Sequence, residues 1–355
     1  MAASKSDVRK INLALQGGGA HGAFTWGVLD RLLSDGRIEI EGITGTSAGA
    51  MNGAVLANGY AEGGAEGARA HLKEFWRTIA QFSRASPVQR TIFDVLFNNY
   101  SLDHSPGYLA MDIISRFASP YDFNPLNLNP LRDLVERTID FDKVHKCKGV
   151  KLFVAATDVF EGKVKVFGST EVTSDALMAS ACLPQMFHAV EIDGIPYWDG
   201  GFMGNPPLFP LFYECNSDDT LLVQINPVER RTVPRSAREI LDRVNEITFN
   251  SSLLRELRTI EFVGRMIREE RLDPKKYRDV KLHRIDGGDD LIELSASSKL
   301  NAEWGFLRHL RDIGRMHASA WLDAHFDDIG KRGTLDLRTM FETKQSLQHA
   351  VLPRH

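Results

Sequence analysis

The sequence predicts an α/β protein whose parallel strands are joined by crossover helices, and three observations predict it. The first 60 residues read strand–turn–helix twice over. The middle of the chain carries two hairpin patterns. The last third holds two long amphipathic segments of helical period. A connection that contains a helix joins parallel neighbours, so the opening repeat specifies a parallel sheet.

Each element follows from its pattern. Ile11-Asn12-Leu13-Ala14-Leu15 reads as a buried strand that enters a glycine cluster, Gln16-Gly17-Gly18-Gly19-Ala20-His21-Gly22. Phe24, Val28, Leu29 and Leu32 recur at helical spacing, and Ser34-Asp35-Gly36 stops that helix. Ile38 to Thr44 is the second strand. Gly45-Thr46-Ser47-Ala48-Gly49 turns sharply into a helix of small residues, Ala50 to Ala57, expected to end at Asn58-Gly59. Residues 81 to 135, rich in Phe, Tyr, Leu, Pro and Asn, read as an insertion of short helices and loops. That insertion either covers the core or forms the lid or wall of an apolar pocket. Lys151 to Asp158 pairs with Val164 to Phe167 as one hairpin. Ala189 to Ile192 pairs with Ile195 to Trp198 as another, across Asp193-Gly194. Ser174 to Ala181 is helical, and Leu221 to Ile225 is a further buried strand. Helices are expected from Ser236, an N-cap, to about Arg271, and from Trp304 to Phe326. Their apolar stripes pack on the α/β core or face a partner or membrane surface.

Composition narrows the function. A chain of 355 residues allows two domains or one large α/β domain with additions. With 43% hydrophobic and 25% charged residues, wholesale disorder is excluded. Lys and Arg total 43 against 47 Asp and Glu, a net charge of −4, so no basic excess supports a nucleic-acid partner. Cys147, Cys182 and Cys215 form neither a disulfide framework nor a zinc pattern and fit a reducing compartment. Met1 to Lys10 is polar and no apolar h-region follows, so no secretory signal is expected. No apolar run reaches the length of a membrane span, about 18 residues. The expectation is a cytoplasmic protein whose membrane contact, if any, is peripheral.

Two glycine-rich turns carry the chemistry. Gly17, Gly19 and Gly22 spell G-x-G-x-x-G after a strand. With Glu39 or Glu41 about 20 residues on, this is the dinucleotide-binding pattern. Gly45, Ser47 and Gly49 spell G-x-S-x-G between strand and helix. The serine sits on a strained turn, the glycines remove side chains that would clash, and the positive helix end favours developing negative charge. Such a serine needs a base and an oxyanion hole. Backbone N–H groups of Gly17, Gly18 and Gly19 supply donors for the hole. His283, His309, His317 and His325 lie late enough in the chain to complete a triad. Asp199 is the other candidate base: it ends a hairpin strand, and Gly200-Gly201 after it leave room for backbone or substrate to approach. No metal site is expected.

The combination of Gln16 to Gly22, Gly45 to Gly49 and Asp199-Gly200-Gly201 resembles the patatin-like phospholipase family. Ala179-Ser180-Ala181-Cys182-Leu183-Pro184 and Asn205-Pro206-Pro207 add to the resemblance, which spans about residues 11 to 213. It implies a three-layer α/β/α fold, a Ser47–Asp199 dyad without a catalytic histidine, and hydrolysis of fatty acyl esters, often in phospholipids, without a cofactor. The expected organisation is an acyl hydrolase domain over 11–213 and a helical C-terminal extension over 214–355. An ordinary Asp, with a pKa of about 3.9, is a poor base near neutrality, so partial burial near Tyr197 and Trp198 is expected to raise it. Family members often carry Arg or Lys where this chain has His21, whose charge would fade above about pH 6.5. The competing readings are a non-catalytic lipid-binding or regulatory module and a dinucleotide-binding oxidoreductase domain.

Overall fold

A computed structural model describes residues 8–341, apart from residues 85 and 98. The polar start of the chain before residue 8 and the end of the expected extension beyond 341 lie outside the described residues. Eight strands form one sheet: β1 (Arg9–Leu15), β2 (Ile38–Thr46), β3 (Lys151–Asp158), β4 (Val164–Gly168), β5 (Val190–Ile192), β6 (Ile195–Asp199), β7 (Asp219–Gln224) and β8 (Lys281–Asp286). β3, β2, β1, β7 and β8 run parallel in that order. β4, β5 and β6 form antiparallel pairs at the β3 side.

The central strands are almost continuously apolar because both faces are covered. Leu13, Leu15, Leu152, Val154, Leu221 and Val223 belong to one apolar cluster, and Ala14, Phe153 and Leu222 to another. The first cluster is completed by α1 (Gly22–Asp35), α2 (Ala48–Ser83) and, later in the chain, the helix at Trp304–His325. Leu211 of the helix at Phe209–Glu214 and Leu253 and Leu257 of the helix at Ala237–Arg268 complete the second. The result is three layers, α/β/α, around the sheet.

The other helices follow in order. The expected insertion, 81–135, holds α3 (Ile92–Leu96), α4 (Pro106–Phe117), α5 (Pro120–Phe123) and the start of α6 (Pro130–Thr138), and α7 (Phe141–Lys146) follows it. Then come α8 (Ser174–Ser180), α9 (Phe209–Glu214), α10 (Ala237–Arg268), α11 (Gly288–Ile292), α12 (Trp304–His325) and α13 (Leu337–Phe341). Ser236 caps α10 as expected: its Oγ accepts from the Glu239 N–H at 3.2 Å, and the Glu239 carboxylate accepts from the Ser236 N–H at 3.1 Å.

One expectation needs correction. The helix after Ser47 does not stop at Asn58-Gly59. It runs to Gly63-Gly64, where Gly64 takes φ +60° and ψ −144°, and returns to Ser83. The two halves, 48–62 and 65–83, pack on each other. Trp76 Nε1 donates to Asn52 Oδ1 at 3.0 Å, and Asn58 Nδ2 lies 3.0 Å from His71 Nδ1. Gly59 lies against the backbone of Gly67 and Ala68, so it serves close packing rather than termination. Past residue 213 the expected strand at Leu221–Ile225 is β7, beside the central β1, and β8, which is not among the strands expected from the sequence, lies beside β7.

Candidate active site

The register of β3 brings two strand ends together. Along one edge β3 pairs with β4. Along the other it pairs first with β2, ending at Ala155↔Thr46, and then with β6, ending at Ala156↔Asp199. β2 and β6 run toward each other, so the residues that leave their ends, Ser47 and Asp199, meet above that edge. The site therefore sits at the carboxyl ends of the parallel strands, where open α/β sheets present their clefts.

Ser47 carries φ +52° and ψ −121°, a left-handed conformation that costs a non-glycine residue on the order of 1–3 kcal/mol. The surroundings hold it there. Its N–H donates to the Oγ of the buried Ser180 at 2.8 Å, and its carbonyl accepts from the Met51 N–H at 3.0 Å as α2 begins. A Cβ at Gly45 would lie 2.7 Å from the Ala50 N, and one at Gly49 would overlap the Leu15 carbonyl. Ser47 thus stands at the N-terminus of α2, where the helix end favours negative charge.

Asp199 is buried, its carboxyl accepts from the Gly201 N–H at 2.7 Å, and it interacts with the nearby Ser47 hydroxyl. Burial pushes its pKa up to about 7, against the lowering effect of the Gly201 N–H and the Ser47 hydroxyl. Thr157 Oγ1 donates to the Asp199 carbonyl at 2.8 Å and the Asp199 N–H donates to the Cys182 carbonyl at 2.7 Å, so its backbone is fixed too. Tyr197 is buried, with its ring edge-on to Phe167. Gly200 abuts the Ala155 carbonyl, and Gly201 lies under the Phe249 ring, leaving no room for a side chain at either.

The glycine run lies directly beside Ser47, since a Cβ at Gly17 would fall 2.8 Å from the Ser47 Cβ. One expected donor is already taken. The Gly17 N–H donates to Asn205 Oδ1 at 2.7 Å. The N–H groups of Gly18 and Gly19 have no acceptor among the described residues, and both glycines line the same cavity as Ser47. Gly19 takes φ +58° and packs against the Lys299 carbonyl. Gly22 opens α1, where its missing side chain admits Ala48 and Trp76.

Ser47, Asp199 and Gly17 to Gly19 share a cavity of about 300 Å³ with Met111, Met186, Leu241, Phe249, Asn226 and Lys299, among others. Lys299 and Asn226 carry no signal in the sequence, yet both reach it. Among the described residues no histidine lines it. His283 pairs with Asp219 at 3.0 Å and sits level with Leu221, on the amino-terminal half of β8. His309 stacks on Tyr100, and His317 and His325 bond Asp290 and Asp328. His21 is buried with Nε2 2.8 Å from Ser298 Oγ. Burial, with Lys299 and Arg230 nearby, lowers its pKa to about 3, so it carries no charge at neutral pH.

The acids of the dinucleotide pattern face the wrong place. Glu39 pairs with Lys10 near the start of β1, and Glu41 accepts from the N–H groups of Asn216 and Ser217 at 2.8 and 2.9 Å. Glu41 lies roughly 13 Å along β2 from the turn at Gly45. Among the described residues no helix is long and apolar enough to cross a membrane, and no group of three or more His, Cys, Asp or Glu is placed to hold a metal ion.

A family model described as patatin-like phospholipase matches residues 13–212. Three curated relatives, one from Mycobacterium bovis and two from strains of Mycobacterium tuberculosis, are described as uncharacterized NTE family proteins. Each is 29% identical over 255 residues, covering 70% of this chain and 60% of the relative. The chain thus spans about 60% of the length of those relatives. Among solved structures, VipD from Legionella pneumophila aligns with a TM-score of 0.41 at 14% identity, over 89% of this chain and 67% of that one. ExoU, in its heterodimeric complex with SpcU from the type III secretion system of Pseudomonas aeruginosa, aligns with a TM-score of 0.39 at 13% identity, over 90% and 52%.

Proposed function

The chain belongs to the patatin-like phospholipase family, and from that premise we propose that it is a serine acyl hydrolase that cleaves fatty acyl esters of lipids through Ser47 and Asp199. The observation that carries this reading is the buried Asp199 carboxyl, raised to about 7, in the same cavity as a serine on a strained turn. A carboxylate with that pKa is matched to proton transfer near neutrality.

In the proposed sequence Asp199 accepts the Ser47 proton as Ser47 Oγ bonds to the ester carbonyl carbon. The carbonyl oxygen becomes an oxyanion, held by the free N–H groups of Gly18 and Gly19 and favoured by the α2 terminus. The tetrahedral adduct expels the alcohol, which takes the proton from Asp199, and leaves an acyl-Ser47. Water then gives a proton to Asp199, attacks the acyl carbon, and releases the fatty acid as Ser47 regains its proton. Turnover rises with pH through about 7 as Asp199 loses its proton.

The surroundings support a lipid substrate delivered from a membrane face. Met111 on α4 and Leu241 and Phe249 on α10 line the cavity. The same helices expose Ile113, Phe117, Ile240, Val244 and Ile247. Arg238 joins the two helices, pairing with Asp103 at 3.2 Å and lying over the Tyr108 ring. Apolar side chains at such density around a cleft mark a surface that meets lipid or protein.

The test is covalent labelling with a fluorophosphonate probe, together with hydrolysis of p-nitrophenyl butyrate. Wild type should be labelled at Ser47. Ser47→Ala should be neither labelled nor active, and Asp199→Asn should lose roughly a thousandfold in kcat. Wild-type rates in either variant would sink the dyad. Saturable binding of NAD without Ser47 labelling would favour the oxidoreductase reading instead.

A further inference from the structure

The Gly17–Gly18 peptide is gripped from behind. Its carbonyl, on Gly17, accepts from Asn226 Nδ2 at 2.7 Å. In a planar trans peptide the C=O and the following N–H point in opposite directions. Pulling the Gly17 carbonyl toward Asn226 therefore turns the Gly18 N–H the other way. That N–H is one of the two left free beside Ser47.

Asn226 can do this only in one orientation of its carboxamide. Rotated by half a turn, it would set Oδ1 against the Gly17 carbonyl, acceptor against acceptor. Its backbone is tied, since its N–H donates to Gln16 Oε1 at 2.9 Å, and the residue is only 3% exposed. Two contacts set the amide orientation: Nδ2 also donates to Gln16 Oε1 at 3.3 Å, and the Lys299 Nζ donates to Asn226 Oδ1 at 2.8 Å, the shorter bond and the one that carries a charge. This is the one hydrogen bond of the Lys299 ammonium among the described residues, and none of them forms an ion pair with it. The nearest carboxylate influences come from Glu246 and Asp242 on α10. Glu246 is already bound by Arg230 at 2.7 Å and Arg243 at 3.0 Å. The Lys299 backbone carbonyl meanwhile packs on Gly19. Lys299 thus reaches the glycine run twice, through its ammonium by way of Asn226 and through its own backbone at Gly19. A half-buried ammonium with no contacting carboxylate gains little for the fold, so a stability role does not account for it.

We propose that Lys299 and Asn226 form a positioning relay that aims the Gly18 N–H at the oxyanion and keeps a positive charge behind it. The proposal rests on the Ser47 hydrolase reading and deepens it. Lys299 and Asn226 are positioning residues, acting through the Gly17–Gly18 peptide. The relay acts on a charge that exists only in the transition state, so it changes kcat and leaves KM nearly alone. It also needs Lys299 protonated. The groups facing Lys299 are Asp242 and Glu246 from α10, Arg230 from the loop before it, and the neutral His21 from the glycine turn. Burial lowers the Lys299 pKa against the raising effect of the two carboxylates. The kcat profile therefore gains an alkaline limb as Lys299 loses its proton.

The experiment compares full-length wild type with Lys299→Met, Lys299→Arg and Asn226→Asp. It measures p-nitrophenyl butyrate kinetics from pH 5 to 10.5 and the rate of fluorophosphonate labelling at Ser47. Lys299→Met and Asn226→Asp should each lose about 30-fold in kcat and in labelling rate, with KM changed less than twofold. Lys299→Arg should recover most of the loss. The alkaline limb should vanish in Lys299→Met. A Lys299→Met enzyme within twofold of wild-type kcat, a loss confined to KM, or an unchanged alkaline limb overturns the relay while labelled wild type leaves the hydrolase reading standing. Wild type unlabelled at Ser47 overturns both. If Lys299→Met does not fold, Asn226→Asp, which keeps the Lys299 contact as an ion pair but cannot donate to Gly17, decides the question.

Discussion

Asp199 meets two opposed demands. Its burial suits it to the role of base at neutral pH proposed for it, and the same burial makes its charge a burden on the fold. The sign is fixed by linkage. Between about pH 3.8, its ordinary value, and about 7, the folded chain holds a proton that the unfolded chain has released. Stability therefore falls as pH rises through that window and stays lower above it, by roughly 4 kcal/mol for a shift of about three units. Asp199→Asn should melt at a higher temperature than wild type at pH 8, the gap should close toward pH 4, and activity should be lost throughout. A melting curve at each pH checks this, and equal melting temperatures at pH 8 would contradict it. Ser47 and Asp199 were legible in the sequence because glycines flank them, and each glycine reports a neighbour that tolerates no side chain. Gly49 against Leu15 and Gly201 against Phe249 are the physical reason. Lys299 and Asn226 have no such signature. A lysine between Ser298 and Leu300 reads like any surface lysine, and only the packing of its carbonyl on Gly19 brings it to the site.

At the scale of elements, the insertion and α10 behave as one apolar rim. Sequence pattern located both, but it could not separate residues that face the cavity from residues that face outward, since α4 is apolar on both sides. Met111 faces inward while Ile113 and Phe117 are exposed, at 57% and 87%. If that rim seats the enzyme on lipid, Ile113→Asp with Phe117→Asp should cut hydrolysis of phospholipid vesicles at least tenfold. Cleavage of soluble p-nitrophenyl butyrate should change less than twofold, because the cavity lining is untouched. Equal losses on both substrates would place the effect in folding rather than docking. The α2 hairpin marks another limit of reading by pattern. Asn58-Gly59 has the composition of a helix stop, but Asn58 is bonded to His71 and Gly59 serves a close helix–helix approach, so the break falls at Gly63-Gly64.

At the scale of the molecule, the site is assembled from distant stretches: the glycine run, the turn after β2, the end of β6, Asn226 just after β7, and Lys299. The three motifs made the glycine run, Ser47 and Asp199 visible. The contribution of the later chain was not, because β8 interrupts its apolar residues with His283, whose burial is explained only by Asp219 and Thr334 across from it. Residues 1–213 alone lack β7, and with it a strand beside β1, and they lack Asn226 and Lys299. Such a fragment should fail to fold cooperatively and should not be labelled at Ser47, although it contains every motif residue. Circular dichroism melts and fluorophosphonate labelling check this, and a folded, labelled fragment would show that the later chain is dispensable.

The meeting of β2 and β6 along one edge of β3 makes the dyad a matter of counting. Side chains alternate faces along a strand, so moving β6 by one residue against β3 would turn Asp199 to the opposite side of the sheet. Substitutions within the hairpin leave that count intact, whereas a single inserted or deleted residue between Ile195 and Asp199 does not. Length variation in this protein is therefore expected to collect in loops such as the Asp193-Gly194 turn, with the five residues of β6 held to a fixed number.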